Sequence, residues 1–189
     1  MKQNPCTAVG SVSKPTVIVL ASGRGERFKA SGGDVHKLKA LLAGKAVLQH
    51  TMDAAISSEL PWHLEEGDHP GMGDSIAAAV RATANACGWL ILPGDLPLIQ
   101  SATLLQVAAS LQQYAVVLPQ YKGQRGHPVG FGLACRAALL QLQGDKGAAS
   151  VLKQFCVHEL VVHDIGVITD IDTVEDLQRA EKILKTSLD

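Results

Sequence analysis

An excess of charge of either sign is missing from this 189-residue sequence, whose 17 lysines and arginines face 18 aspartates and glutamates for a formal net charge of −1. Without a basic surplus the chain has no general means of holding a polyanion, which excludes nucleic acid and anionic membrane surfaces as expected partners. No uncharged apolar run approaches the ~18 residues of a membrane span, and residues 1–15 lack the apolar stretch of a signal peptide. The expectation is a cytoplasmic protein with a polar leader over residues 1–15 and a single domain over residues 16–189. Cysteines are few and scattered. Cys6, Cys87, Cys135 and Cys156 form no Cys-x-x-Cys pair and no Cys/His cluster at zinc-ligand spacing, so reduced, mostly buried thiols are expected. Internal repeats, low-complexity tracts and domain linkers are absent as well.

What is present is a hydrophobic fraction of 47% and an alternation of apolar strands with helices. Residues 16–20, 89–92 and 115–118 read as buried strands, with later candidates at 157–162 and 167–171. Helices are expected over 47–60, stopped by Pro61; over 75–86, capped by Asp74 or Ser75; over 103–113; and over 136–143, ended by Gly144. Thr173-Val-Glu-Asp176 carries a capping-box pattern ahead of Leu177, Ala180, Ile183 and Leu184 at helical spacing. Such an order predicts an α/β fold with a mainly parallel sheet covered on both faces and a ligand crevice at the carboxyl ends of the strands.

Chemistry-bearing residues sit at those strand ends. The first strand runs into Ala21-Ser-Gly-Arg-Gly-Glu-Arg27, where small residues let backbone N–H groups approach a phosphate chain and Arg24 and Arg27 supply charge. Taken alone, the same loop also reads as a tight structural turn. It lacks the third glycine of a dinucleotide fingerprint, Phe28 standing there, and Gly44-Lys45 lacks the glycine and the Ser or Thr of a P-loop. Lys37 can return to the same phosphates, although a lone lysine is ordinarily just solvated. In Trp89-Leu-Ile-Leu-Pro-Gly-Asp95-Leu-Pro97 an apolar strand delivers one carboxylate through a Gly-Asp turn, suited to magnesium or simply to turn formation. Asp170 and Asp172, two apart at another expected strand end, would point to one face.

In order along the chain, Leu20-Ala-Ser-Gly-Arg-Gly-Glu-Arg27, Lys37, Gly71-Met-Gly-Asp-Ser75, Gly94-Asp-Leu-Pro97, Gly126-His-Pro128, Gly144-Asp-Lys-Gly147 and Asp170-Ile-Asp-Thr-Val-Glu-Asp-Leu177 resemble the motifs of MobA-like nucleotidyltransferases. Within that family the sequence is most similar to the molybdenum cofactor cytidylyltransferase branch. The resemblance implies a three-layer, Rossmann-like nucleotidyltransferase fold. It implies a nucleotide held by Leu20, Ala21, Ser22, Gly23, Arg24 and Lys37 on one side and by Gly71, Gly73 and Ser75 beside base or sugar. Arg27, Lys37 and Asp95 would be catalytic, and Mg2+ would be held by Asp95 and Asp172, with Asp170 in reserve. Gly126, His127 and Pro128 would face the acceptor, although a histidine beside a proline is often only a packed or surface residue.

The implied reaction moves NMP from an NTP, CTP favoured and GTP the near rival, to molybdopterin with release of pyrophosphate, and implies transient contact with a molybdoenzyme. Two alternatives stay open: a non-catalytic nucleotide- or cofactor-binding carrier or maturation chaperone, and transfer to a sugar or polyol phosphate. The sequence departs from the family between residues 61 and 70, where there is room for one strand, Trp62-His-Leu-Glu65, in place of the usual strand, helix and strand. One strand-helix unit is therefore expected to be missing, which would leave the sheet a strand short and its edge exposed. Ser22 stands where alanine is more usual, a tolerable change.

Overall fold

The computed structural model describes residues 14–23 and 25–186; most of the leader, Cys6 and Arg24 therefore lie outside the described residues. In chain order the strands and α-helices are β1 (Thr16–Leu20), α1 (Glu26–Ala30), β2 (Leu41–Leu42), β3 (Lys45–Ala46), α2 (Val47–Ser57), β4 (Trp62–Glu65), α3 (Met72–Ala82) and β5 (Gly88–Pro93). There follow α4 (Ser101–Ser110), β6 (Val116–Tyr121), β7 (Gln124–Arg125), β8 (Val129–Gly132), α5 (Arg136–Leu140), α6 (Ala149–Leu152), β9 (Val157–Val161) and α7 (Val174–Thr186). Among them no helix is long and apolar enough to cross a membrane.

One seven-stranded sheet has the order β4-β1-β5-β8-β6-β7, with β9 also paired to β6. β4, β1 and β5 pair in parallel, as do β6 and β9, while β8 runs antiparallel to both β5 and β6. Strand alternation sends Ile18, Trp89, Ile91 and Phe131 to one face, where they pack with Ile76 and Val80 of α3 and Leu139 of α5. Val17, Val19, Leu90 and Leu92 go to the other, against Met52 of α2 and Leu104 and Val107 of α4. This gives the three-layer, Rossmann-like α/β architecture. Each such fully buried aliphatic or aromatic side chain contributes about 1.5–3 kcal/mol relative to exposure, which is why both faces must be covered. Phe28, Leu38, Leu42, Val47, Ile171 and Ala180 form a third cluster at the docking face of α7.

Several elements depart from expectation. Residues 167–171 form no strand: a 3-10 turn spans Ile165–Ile168, started by the Asp164 carboxylate, which accepts the Gly166 N–H at 2.8 Å. α3 begins at Met72, without a side-chain cap; Ser75 lies inside it, and Asp74 instead accepts the Gly144 N–H at 2.8 Å. Buried thiols are only part of the cysteine picture: burial pushes Cys135 up to about 11, whereas Cys156 is exposed. Thr173 behaves as expected, accepting from Asp176 N while Asp176 Oδ2 accepts the Thr173 N–H. Between α2 and α3 the chain makes the single strand β4, which forms the sheet edge with Trp62 exposed.

Candidate active site

A cleft of about 770 Å³ opens at the carboxyl ends of β1 and β5, a volume typical of small-molecule sites. Its floor depends on Gly94, whose N–H donates to the Leu20 carbonyl at 2.8 Å. A Cβ there would lie 2.9 Å from both that carbonyl oxygen and Leu48 Cδ1, so only glycine lets β1 and the turn after β5 approach so closely. Asp95 follows directly. Its carbonyl accepts the Ile171 N–H at 2.9 Å, which draws residues 170–172 to the same place without a strand.

Four side chains converge there. Lys37 Nζ donates to Asp95 Oδ2 at 2.6 Å and to Asp172 Oδ1 at 2.9 Å, and Arg27 meets the other Asp172 oxygen at 2.7 Å. Lys37, Asp95 and Asp172 are only 12%, 16% and 20% exposed, while Arg27 is 77% exposed and tethered at its tip. Burial alone would depress the Lys37 ammonium, but the charges and hydrogen bonds of Asp95 and then Asp172 outweigh it and hold its pKa above the ordinary lysine value. Asp170 also lines the cleft; burial, followed by the nearby Asp172, Asp95 and Asp176 charges, pushes its carboxyl up against the opposing effect of a backbone hydrogen bond.

Among the described residues no group of three or more His, Cys, Asp or Glu side chains is placed to hold a metal ion unaided. Magnesium does not require one, since it takes one or two carboxylates with phosphates and water completing the shell. Asp95 Oδ1 suits that role, being buried with no hydrogen-bond partner in the protein. A buried carboxylate oxygen without a donor is costly to leave so, and a cation or its water would satisfy it.

The remaining expected residues divide. Leu20, Ser22, Gly23, Gly71, Ser75, Gly126 and His127 line the same cleft as Lys37 and Asp95, whereas Ala21, Gly73 and Pro128 lie outside its lining. Gly71 and Gly73 pack on the backbone of residues 143–145: added Cβ atoms would come within 2.3 Å of Gly144 C and 2.9 Å of Gln143. Ser22 and Ser75 hydroxyls sit 2.8 Å apart, tying the β1 loop to α3. His127 follows Gly126, donates its backbone N–H to the Val167 carbonyl at 2.9 Å and leaves Nδ1 buried without a partner. Burial lowers its pKa despite Asp95 and an Ile91 backbone hydrogen bond, so the imidazole is neutral at pH 7.

Two groups escaped the sequence reading. His36 Nδ1 accepts the Leu38 N–H at 3.3 Å, which makes Nε2 the donor to the Gly23 carbonyl at 2.7 Å; the ring thus anchors the glycine loop beside Gly25, at φ 65°. At the other rim Glu65 holds His69 at 3.0 Å and the Gly67 N–H at 2.9 Å, bracing the short connection between β4 and α3. Their partners are separated by loop geometry that no periodicity encodes, although the charged residue closing β4 beside Leu20 was a usable signal.

The fold and this cleft define the class: an α/β nucleotidyltransferase architecture with its polar groups gathered at strand ends. Residues 53–160 match the MobA-like NTP transferase domain, and the chain belongs to that family. It is 29% identical over 146 residues to the bifunctional protein GlmU of Xanthomonas oryzae pv. oryzae, 65% of this chain and 30% of the relative. The chain thus spans about three tenths of the length of the curated relatives it matches. Rv0371c from Mycobacterium tuberculosis H37Rv superposes with a TM-score of 0.75 at 23% identity, covering 90% of this chain and 99% of that one; it has also been solved as a complex with manganese. Molybdopterin-guanine dinucleotide biosynthesis protein A from Archaeoglobus fulgidus gives 0.67 at 19% identity, with 90% and 99% covered. At these identities the structural likenesses establish the fold.

Proposed function

We propose that this protein transfers a nucleotidyl group from a nucleoside triphosphate, CTP in the first place and GTP in the second, to molybdopterin. A phosphate oxygen of the acceptor attacks the α-phosphorus in line, the bond to the β-phosphate oxygen breaks, and pyrophosphate leaves with its electron pair. The supporting observation is the meeting of Lys37, Asp95, Asp172 and Arg27 in one cleft with the glycine loop after β1.

The chain's own work is positioning and charge balance. Gly23 and Ser22 present a narrow loop, fixed by His36 and Ser75, along which a triphosphate fits. Lys37 and Arg27, both in the cleft lining, would balance the charge on its oxygens. Mg2+ held by Asp95 and Asp172, with Asp170 in reserve, would supply Lewis acidity toward the phosphate oxygens. Gly126 and neutral His127, in the same cleft lining, would face the second substrate. Pyrophosphate release from purified protein, given each NTP with Mg2+ and molybdopterin, tests this reading. Release that depends on molybdopterin and is fastest with CTP supports it; release only with a sugar or polyol phosphate, or binding without turnover by folded protein, overturns it.

A further inference from the structure

Resting on the reading of Asp95 and Asp172 as metal ligands, we propose that Lys37 blocks these carboxylates in the free protein, so that the divalent cation loads together with the triphosphate. The ammonium donates to both groups, at 2.6 and 2.9 Å, and Arg27 takes the second oxygen of Asp172 at 2.7 Å. Two carboxylates are thereby neutralised by two cations. A divalent cation approaching this set finds no net charge to attract it, meets only Asp95 Oδ1 unused among the four carboxylate oxygens, and is repelled by the ammonium lying between them.

A triphosphate changes the balance. Lys37 lines the same cleft as Ser22, Gly23 and Arg27, and its flexible stem lets Nζ swing to phosphate oxygens without moving the backbone. Arg27, mostly exposed, is equally free to follow. Once both cations turn to phosphate, Asp95 and Asp172 regain their charge and the buried Asp95 Oδ1 gains the cation it fits. The triphosphate therefore brings the metal and removes its competitor in one event, the divalent cation offsetting part of the negative charge that the triphosphate adds.

The test measures Mn2+ binding to the full chain without nucleotide, following free Mn2+ by its paramagnetic resonance signal. Lys37→Met is expected to bind about tenfold or more tightly than wild type, because two shielded carboxylates lose their counter-charge. That gain should vanish in Lys37→Met/Asp95→Asn. Arg27→Met, an exposed change that leaves folding intact, should produce a smaller gain. Circular dichroism verifies folding of each variant. Equal Mn2+ affinity in wild type, Lys37→Met and Arg27→Met overturns the proposal, as does a gain that survives Asp95→Asn. If pyrophosphate release is absent while the gain holds, nucleotidyl transfer falls and the competition stands; release without the gain sinks the competition alone.

Discussion

Asp95 and Asp164 are both largely shielded carboxylates, yet the protein treats them oppositely. Asp164, 3% exposed, accepts from Gln100 N at 3.0 Å, Thr103 Oγ1 at 2.7 Å and Gly166 N at 2.8 Å, all neutral donors that close the start of α4 and the 3-10 turn. Asp95 keeps one oxygen on a lysine and the other buried without any partner. The first is a finished hydrogen-bonding unit. The second is left with an unpartnered oxygen within the protein. A carboxylate satisfied by its own chain serves architecture; one left with an orphaned oxygen in a cleft supports the proposal that it meets a ligand.

Substitution should separate the two sharply. Asp95→Ala is expected to lower the rate of pyrophosphate release about a thousandfold, while urea unfolding shows stability within about 1 kcal/mol of wild type. Asp164→Ala should do the reverse, costing about 3 kcal/mol in urea unfolding as buried donors lose their acceptor, with turnover per folded molecule retained. Gly94→Ala tests whether the Asp95 turn depends on close approach to β1; with contacts of 2.9 Å to Leu20 O and Leu48 Cδ1 it should cost about 2 kcal/mol by the same measurement.

Two pH series sharpen the contrast further. Lys37 has a raised folded-state pKa, so the stability it contributes relative to Lys37→Met is fully present below the unfolded value of about 10.4 and is lost as pH climbs through the higher folded value. Urea midpoints for both proteins from about pH 8 upward through the lysine range will show this. Glu65 runs the other way. Burial pushes its carboxyl up, but His69, the Gly67 N–H and His63 outweigh burial and lower its pKa, so the smaller difference from Glu65→Gln is present above 4.5 and fades as pH falls through the lowered value.

Much of this was readable in the chain, and the failures have specific causes. Thr16–Leu20 and Gly88–Pro93 announce themselves because their apolar runs are continuous, as strands buried on both faces must be. The resemblance puts Asp95 and Asp172 at one centre with Lys37 nearby; what the linear pattern does not carry is the means, the Ile171 N–H on the Asp95 carbonyl. β8 was invisible because Gly130 and Gly132 remove the side chains that would reveal alternation; Gly130 is glycine because a Cβ would sit 2.8 Å from Val107 Cγ1. The run at 167–171 looked like a strand because short apolar segments have no distinguishing period, and Asp164 decides in favour of a turn. His36 and Glu65 act through partners that a linear pattern does not pair.

The most direct measurement is pyrophosphate release by wild type and Asp95→Ala side by side, with Mg2+, molybdopterin and each of the four ribonucleoside triphosphates. Release by the wild type with CTP, dependent on molybdopterin and lost in the folded variant, is the expected result. A variant that keeps the wild-type rate, or a folded wild type that releases nothing with any triphosphate, would contradict nucleotidyl transfer at the Asp95 centre.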